Sequence, residues 1–136
     1  MILVDTSVWI DHLRKGNTRL SSLLLNAGVL IHPFVVGELA CGNLHNRNRI
    51  LNLLGDLPTS RVADDREVLF FIERNELMGR GIGYIDAHLL ASVSLFGGAR
   101  LWTVDRKLND VAVQLGLSEW ANNSRQPTDD KLLLPN

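Results

Sequence analysis

Apolar residues follow two rhythms along this chain. One is the short unbroken run: Ile2-Leu3-Val4, Val29-Leu30-Ile31 and Leu101-Trp102-Thr103-Val104. The first of these is too short and too apolar for a strand with one wet face, so it reads as central and parallel. The other rhythm is the three-and-four spacing of helices. It predicts helices over about Val8–Lys15, around Leu20, Leu23 and Leu24, from Pro33 to about Leu44, and over Arg47–Leu54. It continues from Asp64 to Met78, from Tyr84 to Phe96 and from Asp105 to Leu115. Breakers separate them at Gly16-Asn17, Gly28, Gly55 to Pro58, Gly79 to Gly83 and Gly97-Gly98. Arg61-Val62-Ala63 suggests one more strand. After Gly116 the pattern fades into a polar, Pro-containing tail. Strands alternating with helices imply a parallel sheet covered on both faces.

At 136 residues the chain reads as a single domain, 1–136, with a less defined tail after about residue 117. No apolar run reaches membrane-spanning length. The amino end lacks a basic region, and Asp5 interrupts its apolar stretch, so no signal peptide is expected. Cys41 is the single cysteine. It excludes an internal disulfide, fits a reducing cytoplasm, and reads as small buried filler on a helix. The formal net charge of −1 excludes a generic polyanion binder. There is no dinucleotide fingerprint and no P-loop, and the Gly79–Gly83 stretch follows a helix, so it reads as a hinge or turn.

Four acids stand apart from the others. Asp5 is the only charged residue among the first ten, and it ends an apolar strand. Glu38 is alone between Arg19 and Arg47, on a helix apolar nearly all round and therefore expected to be buried. By helical spacing it shares a face with Phe34, Cys41 and Gly42, and Gly42 leaves room for something to approach. Asp86 opens an apolar helix as the only charge between Arg80 and Arg100. Asp105 closes the Leu101 strand as Asp5 closes the first, so both project from one sheet edge, where open α/β sheets bind ligands. Each acid alone also has a plain structural reading. Asp5 reads first as a helix N-cap, and any of the others as a cap or half of a buried ion pair.

Convergence of all four would change that reading. Two carboxylates about 4 Å apart repel by about 4 kcal/mol at an effective dielectric of 20. Four together demand a cation. Hard oxygen donors with no His or Cys partner suit Mg²⁺ or Mn²⁺ rather than zinc. Such a site suits phosphodiester chemistry. His12, His32, His45 and His88 show no metal-ligand spacing and read as surface or core; His88 stands two residues from Asp86, within reach of a substrate. Arg106 and Lys107 read first as a solvated helix start, with phosphate contact as the second reading. Trp9 and Trp102 read as core, Asp11 and Asp110 as exposed helix positions, and the leucines around Leu20–Leu25 as core or a partner surface.

Four motifs carry a family resemblance: Ile2-Leu3-Val4-Asp5-Thr6-Ser7-Val8-Trp9-Ile10; Glu38 in its apolar helix; Tyr84-Ile85-Asp86-Ala87-His88-Leu89-Leu90-Ala91-Ser92; and Leu101-Trp102-Thr103-Val104-Asp105-Arg106-Lys107-Leu108. Together, in this order, they resemble the PIN-domain ribonucleases, and specifically the VapC toxins of bacterial toxin–antitoxin pairs. The resemblance implies a three-layer α/β/α fold with a short central parallel sheet and a Mg²⁺- or Mn²⁺-dependent endoribonuclease. It carries Asp5, Glu38, Asp86 and Asp105 over as the catalytic metal site, with Ser7 and Thr103 as supporting hydroxyls. It also implies a structured RNA substrate such as tRNA or rRNA, a cognate VapB-type antitoxin, a homodimer, no membrane and a cytoplasmic location. Two other readings remain: a non-catalytic PIN-like module within a repressor complex, and a phosphatase of small esters. The phosphatase would usually want a second Asp two residues after the first, where this chain has Ser7.

Overall fold

The computed structural model describes residues 1–120. Its elements run β1 (Ile2–Val4), α1 (Thr6–Lys15), α2 (Thr18–Leu25), β2 (Val29–Leu30), α3 (Pro33–Ala40) and α4 (Arg47–Gly55). They continue with α5 (Asp65–Arg74), α6 (Tyr84–Phe96), β3 (Arg100–Trp102) and α7 (Arg106–Gln114). The three strands form one parallel sheet in the order β2-β1-β3. Ile2 pairs with Val29 and with Arg100, and Val4 with Trp102. The apolar β1 is therefore the central strand. Leu3 and Val4 point to opposite faces and neither is exposed, so helices cover the sheet on both sides.

All carboxyl ends share one edge. The Asp5 N–H donates to the Trp102 carbonyl at 2.9 Å, extending the ladder past Val4 and setting Asp5 beside Thr103. Leu117 to Glu119 runs alongside β3 on its side away from β1, in a parallel bridge between Leu101 and Ser118. Trp102 is buried there and Trp120 packs edge-on against it, with ring centroids 6.0 Å apart. Arg19 lies over Trp120 and pairs with Glu119. The rest of the tail lies outside the described residues. Among those residues no helix is long and apolar enough to cross a membrane.

Several boundaries differ from the sequence reading. Arg61-Val62-Ala63 is not a strand. The chain touches the sheet two residues earlier, where Ile31 N–H donates to the Pro58 carbonyl and Ser60 N–H to the Ile31 carbonyl. It then leaves with Arg61 and Val62 exposed. α5 stops at Arg74 rather than near Met78. Glu76 adopts a left-handed φ of 52°, and Leu77 N–H reaches back to the Ile72 carbonyl at 3.0 Å. That closing turn buries Leu77 and ends the helix. α3 stops at Ala40 rather than Leu44, because the Arg47 guanidinium takes the Ala40 and Gly42 carbonyls at 2.6 and 3.1 Å. α3 is also not buried all round. Val35 and Leu39 are buried, while Gly37, Glu38 and Cys41 are exposed. A helix in an outer layer has one covered side, however apolar its composition. Cys41 is thus an exposed C-cap rather than core filler. Asp11 is half-buried and pairs with Lys15 at 3.2 Å rather than standing free in water.

Candidate active site

Asp5 stands at the N-cap position of α1, yet its side chain caps nothing. The carboxylate turns across the sheet edge instead. Its Oδ2 accepts from the Thr103 hydroxyl at 2.7 Å and from the Ser7 hydroxyl at 2.8 Å. The residue is 7% exposed. The two hydroxyls are themselves fixed, since Thr103 Oγ1 accepts the Asp105 N–H at 3.1 Å and Ser7 Oγ the Val104 N–H at 3.3 Å. Backbone N–H to hydroxyl to carboxylate is a chain of donors aimed at one oxygen. It orients Asp5 without neutralising it.

The other three acids arrive from separate elements. Asp105 follows β3 and does cap its helix, with Oδ1 accepting the Leu108 N–H at 3.1 Å, so its structural reading holds for one oxygen. Asp86 sits in the first turn of α6. Its Oδ2 accepts the Gly83 N–H at 3.0 Å. Glu38 comes from α3, and its Oε1 accepts the Thr6 hydroxyl at 2.6 Å. Thr6 neighbours Asp5, so that contact ties α3 to the head of α1. Sequence reasoning did not single out Thr6, and nothing in one chain could have paired it with a residue 32 positions on.

The four charges sense one another. Asp86 is held above the usual carboxylate range, first by partial burial, against which the Gly83 N–H pulls, and then by the charges of Asp5, Asp105 and Glu38. Among the described residues no Lys or Arg forms an ion pair with any of the four. Nor do three His, Cys, Asp or Glu side chains close into a ready-made metal cage. By donor type alone, carboxylate oxygens suit a hard cation better than zinc. Mg²⁺ keeps several waters and needs only one or two direct carboxylates, whereas a structural zinc site is a closed tetrahedron of nitrogen and sulfur.

Two features border the acids. A cavity of about 540 Å³ between α1, α3 and α4 is lined by Glu38, Gly42, Ile10, Leu13, His45 and others. The room expected beside Gly42 is there. Behind the edge, His32 and His88 are buried with Phe34 and Tyr84 in edge-to-face contacts. His88 is core, not a substrate contact. Trp9 and Trp102 are core as expected.

Comparison with known proteins agrees with this architecture. The model of the PIN domain family matches residues 2–114. Ribonuclease VapC32 of Mycobacterium tuberculosis, in strain CDC 1551 / Oshkosh and in strain ATCC 25618 / H37Rv, is 48% identical over 118 residues. The match covers 87% of this chain and 95% of the relative.

Proposed function

Because this chain belongs to the PIN domain family, we propose that it is a divalent-metal-dependent endoribonuclease of the VapC toxin type. The observation that carries the proposal is Asp5: a buried carboxylate at a cap position that declines to cap, with three more acids around it. Unpaired buried charge is expensive and persists where it is used. Like charges gathered without counter-charge are what a cation site looks like before the cation enters.

In this reading Asp5, Asp86 and Asp105 bind Mg²⁺ or Mn²⁺, and Glu38 binds it too or orients the attacking water. The bound ion supplies charge neutralisation and a more acidic water. The hydroxyls of Ser7 and Thr103 keep Asp5 aimed. The Gly83 N–H and the Leu108 N–H hold one oxygen each of Asp86 and Asp105, leaving the other free. Water adds to the RNA phosphorus in line with the 3′ oxygen, that bond breaks, and the 3′ oxygen leaves with a proton. The name of the relative supports ribonuclease activity. Neutralisation by a VapB-type antitoxin, a structured RNA substrate and a homodimer extend the same family reading.

The test is cleavage of labelled RNA with and without Mg²⁺ by the wild type and by Asp5→Ala and Asp86→Ala. Cleavage should need the ion and both acids, while circular dichroism stays native. Undiminished Mg²⁺-dependent cleavage in both variants removes the assignment. A non-catalytic module would leave RNA intact in every arm, and expressing it without antitoxin would leave growth unaffected.

A further inference from the structure

We propose that Lys107 binds an RNA phosphate next to the reacting one, and that Gly81 is glycine in order to berth it. The proposal rests on the nuclease reading only in placing RNA at the acid edge. Lys107 is the second residue of α7, two after Asp105, and is exposed. Its aliphatic stem lies across Gly81. A Cβ on Gly81 would stand 2.7 Å from Lys107 Cδ, 3.3 Å from Cε and 3.2 Å from Nζ, so a side chain there would push the lysine tail aside. Gly81 also has a φ of +82°, so a side chain there is strained as well as obstructive.

The berth joins two acid-bearing segments. Gly81 leads through Gly83, whose N–H holds Asp86, while Lys107 rides on the helix that Asp105 caps. Lys107 thus connects the turn that leads to Asp86 with the helix that Asp105 caps. Among the described residues it forms no ion pair. An anionic polymer approaching an acidic site needs a cation at the rim, and phosphate contacts set register without reading bases.

The experiment uses a fluorescein-labelled RNA stem-loop and the full chain as wild type, Lys107→Met, Lys107→Arg and Gly81→Ala. Binding is read by anisotropy with Ca²⁺ in place of Mg²⁺ across a salt series, and kcat and KM are read with Mg²⁺. Lys107→Met should weaken binding and raise KM roughly five- to tenfold, with kcat little changed and a log–log salt slope shallower by about one. Lys107→Arg should restore most of the affinity, and Gly81→Ala should shift affinity and slope in the direction of Lys107→Met. Unchanged affinity and slope in Lys107→Met overturns the proposal. So does weaker Mg²⁺ binding with an unchanged slope, which would make Lys107 a neutraliser of the acids. Wild type that binds RNA without cutting it removes the nuclease reading alone; wild type that binds no RNA removes both.

Discussion

Asp5 and His32 leave the carboxyl ends of neighbouring strands β1 and β2, and each enters the following helix at its N-cap position. Both are buried. From there the two regions part. His32 caps: its Nδ1 accepts the Phe34 N–H at 3.0 Å. Its other nitrogen and His88 Nδ1 have no hydrogen-bond partner among the described residues, and His88 Nε2 lies 3.5 Å from Asp65 Oδ1. Burial, and then the neighbouring His88, lower the His32 pKa to about 4. His32 thus meets the cost of burial by giving up its proton and packing its ring against its neighbours. In the acid region no Lys or Arg among the described residues pairs with Asp5, Glu38, Asp86 or Asp105. A polar residue that falls neutral is compatible with pure architecture, whereas gathered carboxylates without a basic partner are what the proposed cation would bind.

Asp5→Asn and His32→Ala should break the comparison from its two sides, and they carry the largest effects. The isosteric Asn keeps the acceptor for Ser7 and Thr103 while removing charge. Cleavage should fall at least about a thousandfold, some 4 kcal/mol of barrier, with a native urea midpoint. His32→Ala should do the reverse. It opens a cavity and removes a cap at a fully buried site, costing on the order of 3 kcal/mol of stability. The rate per folded molecule should stay near that of the wild type. If His32→Ala abolishes cleavage by folded protein, the two regions are one site.

Acid titration sharpens the same contrast. The unfolded chain takes up a proton on His32 near pH 6.5, while the folded chain resists until about 4. The stability this burial contributes is whole above pH 6.5 and is lost as pH falls towards 4. The loss is on the order of 3 kcal/mol over that window. Urea unfolding at several pH values should show it, and His32→Asn, which keeps an acceptor for the cap, should flatten the curve. A slope unchanged in that variant assigns the acid sensitivity elsewhere.

Much of this was legible in the chain. α6 runs from Tyr84 to Phe96 as the spacing predicts, and β1 ends at Val4, immediately before Asp5, whereas β3 stops at Trp102, three residues short of Asp105. Short apolar runs stopped by a lone acid are unambiguous, because nothing else in the chain competes for them. The misses share a cause, which is dependence on distant partners. Residues 61–63 have strand composition, but the bridge forms at Thr59 because Ile31 is the residue that reaches it. Glu38 looked buried because its helix is greasy, and only the layer arrangement shows which side faces water. That Asp5 does not cap is set by Thr103, 98 residues away.

Thr103 yields the next smaller effect. Thr103→Val keeps shape and removes one of two donors to Asp5 Oδ2, along with the acceptor for the Asp105 N–H. Cleavage should fall about ten- to a hundredfold, the usual penalty for losing an outer partner of a metal ligand. Mg²⁺ affinity, followed by the thermal midpoint, should fall in step. A variant with wild-type rate would mean that Ser7 alone aims the carboxylate.

The smallest effect is the most diagnostic, because it runs against the usual direction of a mutation. Asp86 is held above its ordinary pKa, so the stability it contributes is whole below about 3.8 and is lost as pH rises through the shifted value. At neutral pH its ionised form is a net burden on the metal-free fold. Asp86→Asn removes that burden, and the amide oxygen can still accept the Gly83 N–H. With EDTA at pH 7 the variant should melt a few degrees above the wild type. The gain is about 1 kcal/mol or less, because the half-exposed site is screened by water. Adding Mg²⁺ should reverse the order, since the ion stabilises the wild type by mass action and finds one ligand fewer in the variant. A variant no more stable than the wild type in EDTA would mean that the acids do not strain one another, and the case for a cation drawn in by their repulsion would fail.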